Sequence, residues 1–314
     1  MPETIRINLR DIVTKEERLA PGHRLCAGCA EPIIIRQILH AIDGPVVVGT
    51  ATGCLEVSTT NYPYTSWRVP WIHSAFENVA TTISGVEAAY RALKRAGRIP
   101  PEKNITFLAI GGDGASYDIG LQWISGALER GHKFIYICLN NEAYMNTGIQ
   151  RSGATPQGAH TTTSPAGEVI PGKTQWRKPF TRIMAAHAIP YVAQAAVHNY
   201  RDLMSKIKKA AAADGPAVIN VLAPCPRGWR YSSELTLAIT KLAADTCYWP
   251  LYEVDHGKTI VNYKPKEKLP VTEWLKTQGR FSHLFRPANA KLLEEIQAKV
   301  DQEWEQLLRE EATS

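Results

Sequence analysis

Along the chain, apolar positions switch between helical spacing and short unbroken runs. PIIIRQILHAI (32–42) repeats at three and four and opens on a proline suited to a first helical position, so it predicts a helix. VVVGTATGC (46–54) is a β-branched run ending in small residues, which predicts a strand feeding a tight loop. SAFENVATTISGVEAAYRALKRAG (74–97) returns to helical spacing and closes on Arg, Ala and Gly. ITFLAIGGDG (105–114) reads as a buried strand, YDIGLQWISGALERG (117–131) as a helix and KFIYICLNN (133–141) as another buried strand. Strand, helix and strand in this length make a βαβ unit with parallel strands. The pattern recurs with a helix at 199–213 and the strand AVINVLAPC at 217–225. The expected class is therefore α/β, a mostly parallel sheet with helices on both faces.

Between these units, residues 145–180 are rich in Gly, Thr, Ser and Pro and too long for a connector, which predicts an ordered functional loop. From about 226 the chain turns to Trp, Tyr, Pro and Lys and then to a charged amphipathic helix at 288–311. The expected organisation is a domain over 1–225 and a C-terminal extension over 226–314, packed on that domain or on a partner. No internal repeat or low-complexity segment interrupts the pattern.

Composition sets the bounds. A chain of 314 residues with 44% hydrophobic and 21% charged residues fits one large α/β domain or two smaller ones, and excludes disorder. No apolar run approaches the roughly 18 to 20 residues that cross a bilayer, and the start, MPETIRINLRDIVTKEE, lacks a signal peptide's apolar stretch. The expectation is a cytosolic (cytoplasmic) protein. The +6 net charge comes from 36 basic and 30 acidic residues spread along the chain, with no block that would grip nucleic acid. Such a surface would steer acidic electron carriers favourably. Six cysteines in a cytosolic protein point to metal binding or burial rather than disulfides.

The candidate chemistry sits at predicted strand ends. Gly112-Asp113-Gly114 closes one strand and Asn140-Asn141 the next, and open α/β sheets bind ligands at such ends. A diphosphate needs a hard cation and close backbone approach: Asp113 offers a carboxylate, Asn141 an amide oxygen, Ala143 a carbonyl, and the glycines admit backbone N–H groups. A lone GDG is a common turn; its placement one βαβ unit before Asn-Asn is what carries the reading. Cys26 and Cys29 form a CxxC, Cys54 follows a strand, and Cys225 follows the last strand. Four such thiolates could hold a [4Fe-4S] cluster or structural zinc, and spacing alone leaves both open. Cys138 reads as a buried apolar residue. Cys247 has no evident partner.

GDG, helix, strand and Asn-Asn in this order resemble the thiamine-diphosphate signature. NNEAYMNTGIQRSGATPQGA (140–159) resembles the loop that follows it in pyruvate:ferredoxin oxidoreductases, and the resemblance spans roughly residues 20–260. It implies a thiamine-diphosphate-binding fold in which Asp113, Asn141 and the Ala143 backbone hold Mg²⁺. Asn146 would touch the substrate or the thiamine adduct, and Glu31 would lie against the cofactor. Cys26, Cys29, Cys54 and Cys225 match ligands of the [4Fe-4S] cluster nearest the thiamine. Decarboxylation of a 2-oxoacid on thiamine leaves the cofactor electron-rich, and a nearby cluster can take the electrons one at a time.

The resemblance also implies partners. These are an α subunit supplying the thiamine-activating glutamate and substrate groups, a ferredoxin-like subunit with two further [4Fe-4S] clusters, and external ferredoxin. Glu77 and Asn78 resemble a segment near the cluster or a subunit contact. His23, His73 and His160 read as ordinary polar residues, and Tyr144 and Trp67 as packing residues. The loop is most like that of enzymes acting on pyruvate, but the family commonly has Asp-Asn where this chain has Asn140-Asn141. If Asn140 faces the pocket, the lost charge favours a more anionic substrate such as oxalate. If it points away, it only completes a turn. Two readings from other classes are a cluster-free thiamine decarboxylase or carboligase, which leaves the cysteines idle, and a zinc-stabilised assembly module, which leaves the diphosphate site idle.

Overall fold

A computed structural model describes residues 7–314; MPETIR, the opening of the start read above, lies outside the described residues. In chain order the helix α1 (Leu9–Ile12) and α2 (Glu31–Ala41) precede β1 (Val46–Ala51), α3 (Cys54–Thr59), β2 (Trp71–Ser74), α4 (Val79–Arg95) and β3 (Thr106–Gly112). A π-helical turn (Gly114–Ile119) leads into α5 (Leu121–Glu129) and β4 (Ile135–Asn140). After a long irregular loop come α6 (Phe180–Ala185), β5 (Tyr191–Ala196), α7 (Tyr200–Ala212) and β6 (Ala217–Leu222). Beyond these lie α8 (Pro226–Trp229), α9 (Thr236–Asp245), the hairpin β7 (Tyr252–Asp255) and β8 (Lys258–Val261), α10 (Val271–Leu275) and α11 (Ala290–Thr313).

The strands form one sheet in the order β2-β1-β3-β4-β6-β5-β7-β8. The first six are parallel, and the hairpin adds two antiparallel strands at the β5 edge. Parallel strands are covered on both faces, which is why β4, β5 and β6 are buried at every position and carry mostly apolar side chains. One face packs against α2 and α7, the other against α4, α5 and α6. A third cluster, built around Trp229, Tyr248, Trp249, Trp274 and Phe281, joins the C-terminal segment to the end of the sheet. The expected α/β class with a mostly parallel, doubly covered sheet is what the chain forms.

Two features position the site. After β1 the chain moves to one side, to β2, and then crosses back to β3 on the other side, so a crevice opens at the carboxyl ends of β1 and β3. Register aligns those ends: Thr50, Ile110, Ile137 and Ile219 share one row across β1, β3, β4 and β6. Cys54, Asp113, Asn141 and Cys225 therefore all leave the same edge.

The helix predicted over 74–97 starts only at Val79; Trp71–Ser74 is an edge strand, and the Phe76-Glu77-Asn78 segment connects the two. No helix among the described residues is long and apolar enough to cross a membrane.

Close packing of α4 on the sheet depends on Gly49. A Cβ there would stand 2.6 Å from Ile83 Cγ1 and 2.8 Å from its Cδ1. We expect Gly49→Ala to cost about 1 to 3 kcal/mol through overpacking. Chemical denaturation checks this, and an unchanged midpoint would mean that α4 yields freely.

Candidate functional site

The crevice is a cleft walled by residues 51–55 at the end of β1, 110–114 at the end of β3, and Leu139, Asn141 and residues 143–147 at the end of β4. Glu31, at the first position of α2, and Phe76 complete the wall. Gly112, Asp113, Gly114, Asn141, Ala143 and Asn146 thus share one cleft, as does Cys54.

Three oxygens meet at its floor. The terminal amide of Asn141 lies 2.8 Å from Asp113 Oδ1 and 2.7 Å from the Ala143 carbonyl oxygen. With the amide nitrogen turned inward it donates to both. With the amide oxygen turned inward, its nitrogen faces Glu31 Oε1 at 3.4 Å, and three oxygens crowd together. An octahedral cation with ligands at about 2.0 to 2.1 Å spaces adjacent oxygens by roughly 2.9 Å, so the second orientation suits such an ion. The donor set fits a hard divalent cation.

The surroundings strengthen that fit. Asp113 is buried, and burial lifts its carboxyl to about 8 although the Ser152 hydroxyl donates to it. Glu31 is buried too and raised by burial to about 7, and its Oε2 has no partner. No Lys, Arg or His is among the residues that wall the cleft. Positive charge here must be brought by whatever binds.

The four cysteine positions come from three stitched segments. Cys29 N–H donates to the Cys26 carbonyl at 3.0 Å, closing a turn in which Gly28 has φ 73. A Cβ on Gly28 would strike Ser233, and Thr236 Oγ1 donates to the Gly28 carbonyl at 2.5 Å, so this turn is docked on the segment following α8. Arg24 N–H donates to the Ser58 carbonyl at 2.8 Å, tying the same segment to α3, whose first residue is Cys54. Cys225 caps α8, its Sγ accepting from Gly228 N–H at 3.3 Å. All four are free thiols. Burial raises Cys29, Cys54 and Cys225; the charge of Cys54 or Cys225 bears on Cys29, and that of Cys26 on Cys54 and Cys225. Among the described residues, no three His, Cys, Asp or Glu side chains are gathered tightly enough for a single metal ion. Cys138 lies inside β4, and Cys247 is buried in the C-terminal part of the chain.

Asn140 does not face the cleft. Its Nδ2 donates to the Tyr117 hydroxyl at 2.8 Å and its Oδ1 accepts from Glu142 N–H at 3.0 Å, and it is wholly buried. The charge argument for a more anionic substrate required it to face the pocket, and that ground is gone. Tyr144 packs, its ring lying where a Gly114 side chain would be and edge-on to Phe76, and its hydroxyl also donates to Asp118 at 3.2 Å. Ser152, Glu142, Tyr248 and Arg280 escaped the sequence reading. Glu142 sits in the loop with no spacing signal to mark its role, and the other three act from afar: Ser152 donates to Asp113 across 39 residues, and Tyr248 and Arg280 reach Glu142 across 106 and 138.

The geometry defines a ligand-binding crevice at the topological switch of an open α/β sheet. Comparison agrees: residues 51–221 match the family described as thiamine pyrophosphate enzyme, C-terminal TPP binding domain. The chain is 51% identical to pyruvate synthase subunit PorB of Thermotoga maritima over 98% of its own length and 96% of the relative's. It is 52% identical to the PorB of Methanocaldococcus jannaschii (92% and 95% covered) and 39% identical to ketoisovalerate oxidoreductase subunit VorB of Pyrococcus abyssi (98% and 97%). A 2-oxoglutarate:ferredoxin oxidoreductase from Magnetococcus marinus shares the fold, with TM-score 0.50 and 20% identity over 65% of this chain and 68% of that one. The chain belongs to the thiamine pyrophosphate enzymes, and within them to the PorB and VorB β subunits of 2-oxoacid:ferredoxin oxidoreductases.

A stability test follows from Asp113. Its folded value, about 8, lies above the ordinary 3.8, so the fold favours the protonated form; without cation, stability falls as pH rises from about 4 to about 8 and then levels. Asp113→Asn is neutral throughout and its amide can donate to Asn141. In the cation-free protein it should unfold a few degrees above wild type near pH 8.5, with no gain near pH 4.5. Parallel midpoints at both pH values would show that Asp113 is not held against its charge.

Proposed function

We propose that the chain is the cofactor-binding β subunit of a pyruvate:ferredoxin oxidoreductase, converting pyruvate and coenzyme A to acetyl-CoA and CO₂. The observation that carries this reading is the cleft itself, buried, lined by acids and a thiol, and free of basic side chains. A diphosphate can sit there only with a divalent cation, and Asp113, Asn141 and the Ala143 carbonyl are the groups that would hold Mg²⁺. Thiamine diphosphate, when bound, supplies the electron sink for decarboxylation. Glu31 presents an unpartnered carboxylate oxygen to the cofactor, and Asn146 lies at the outer lip where substrate would enter. Phe76, Met145 and Leu139 exclude water from the inner wall.

Cys26, Cys29, Cys54 and Cys225 would hold one [4Fe-4S] cluster. Its iron would provide the positive charge that the buried thiols lack, and with Cys54 in the cleft wall the electron path from cofactor to cluster is short. The thiamine-activating glutamate would come from an α subunit facing the cleft, and a ferredoxin-like subunit would pass electrons on to ferredoxin in the cytoplasm. The relatives are named as subunits of pyruvate synthase, which supports both pyruvate and a shared assembly.

The test is the complex, co-expressed with its partner subunits and purified without oxygen. Wild type should reduce ferredoxin with pyruvate and coenzyme A and not with oxalate. Cys54→Ser and Cys225→Ser should each lose about four irons and four sulfides per copy of this chain. Asp113→Ala should keep the iron and lose thiamine diphosphate binding. Full iron in both cysteine variants would reject the cluster assignment, and oxalate turnover without pyruvate turnover would reject the substrate.

A further inference from the structure

Glu142 lies between Asn141 and Ala143, the two loop residues whose oxygens meet Asp113. Its backbone is left-handed at φ 65, a conformation that side-chain-bearing residues seldom adopt. Every polar group it has is engaged. Its N–H donates to Asn140 Oδ1 at 3.0 Å and its carbonyl accepts from Thr155 Oγ1 at 2.7 Å. Its Oε1 accepts from the Tyr248 hydroxyl at 3.0 Å, and its Oε2 from the Arg280 guanidinium at 2.5 Å.

The Arg280–Glu142 pair is sealed, the side chains 2% and 0% exposed. Arg280 also stacks 4.0 Å over the centroid of Trp229, and Trp229 Nε1 donates to the Asn141 carbonyl at 2.7 Å. One guanidinium therefore acts on residue 142 through its carboxylate and on residue 141 through the indole bonded to its carbonyl. Neither Arg280 nor Tyr248 reaches the cleft wall. Without them, only the backbone bonds to Asn140 and Thr155 oppose relaxation of residue 142 toward ordinary backbone angles, which would turn the Ala143 carbonyl and the Asn141 amide apart.

We propose that Arg280 and Tyr248 are positioning residues for the cation site, holding the 141–143 loop in the geometry its oxygens need. The proposal rests on the reading of Asp113, Asn141 and Ala143 as cation ligands. Residues outside the ligand set that orient metal ligands typically change affinity by about 10- to 100-fold when removed.

The experiment uses the full complex, dialysed free of divalent cations and titrated with Mn²⁺ in the presence of thiamine diphosphate, with bound Mn²⁺ followed by electron paramagnetic resonance. Arg280→Met should weaken Mn²⁺ binding by roughly 10- to 100-fold and Tyr248→Phe by roughly 3- to 10-fold. The Tyr248→Phe complex, unfolded without cation, should keep a midpoint close to wild type. Unchanged Mn²⁺ affinity in Tyr248→Phe and in the folded fraction of Arg280→Met would overturn the positioning role. If wild type has no saturable Mn²⁺ site, the cation reading falls and the proposal with it.

Discussion

Parallel pairing of β3 with β4 sets Gly112 opposite Leu139, and the rest of the cleft depends on that register. Strands about 4.8 Å apart that end in step deliver Asp113 and Asn141 to one point, each just past its last paired residue. A slip of one residue would turn every β4 side chain to the opposite face. Asn141 would enter the core and Asn140 the cleft. Apolar runs buried on both sides would tolerate the slip; what opposes it is the buried amides of Asn140 and Asn220, both donating to the Tyr117 hydroxyl at 2.8 Å, which a slip would leave unpaired.

The site is assembled against its own electrostatics. Asp113, Glu31 and three thiols are withdrawn from water without a basic side chain in the cleft wall, and burial disfavours the charged form of each. A left-handed Glu142 adds strain of about 1 to 3 kcal/mol. These costs are borne by packing elsewhere, in the two clusters that sandwich the sheet and in the aromatic cluster of the C-terminal segment. That third cluster also reaches the site directly, through Trp229 on the Asn141 carbonyl. A cation and cofactor bound there would complete an arrangement already built, with little backbone ordering left to do.

Legibility in the sequence followed the strength of local periodicity. α2, β3, α5, β4, α7, β6 and α11 could be read within a few residues because each is a long apolar repeat or a run of β-branched residues. β2 escaped because four residues, two of them polar, carry no pattern, and β5 because Tyr191–Ala196 contains three alanines, poor strand formers that are tolerated where both faces are covered. The hairpin β7–β8 turns at His256-Gly257, both at positive φ, inside a stretch that looked like tail. At the site, Asp113 and Asn141 were visible because strand ends concentrate ligands. The groups that hold them were not: Arg280 is 138 residues from Glu142, and only the fold brings them together.

The same alternation that places Asn141 decides how Asn140 should be weighed. Consecutive residues at a strand end point to opposite faces, so of this pair only one can speak to a substrate. Asn140 therefore serves a buried hydrogen bond to the Tyr117 hydroxyl and not the cleft. What this chain does present to the cleft is Thr52, Asn146 and Thr147, neutral and polar, beside Leu55, Phe76 and Met145. A second carboxylate would find no cationic side chain of this chain there and two buried acids nearby, whereas a methyl group would find apolar surface. Within this chain, the cleft wall offers neutral polar and apolar surface and no cationic side chain.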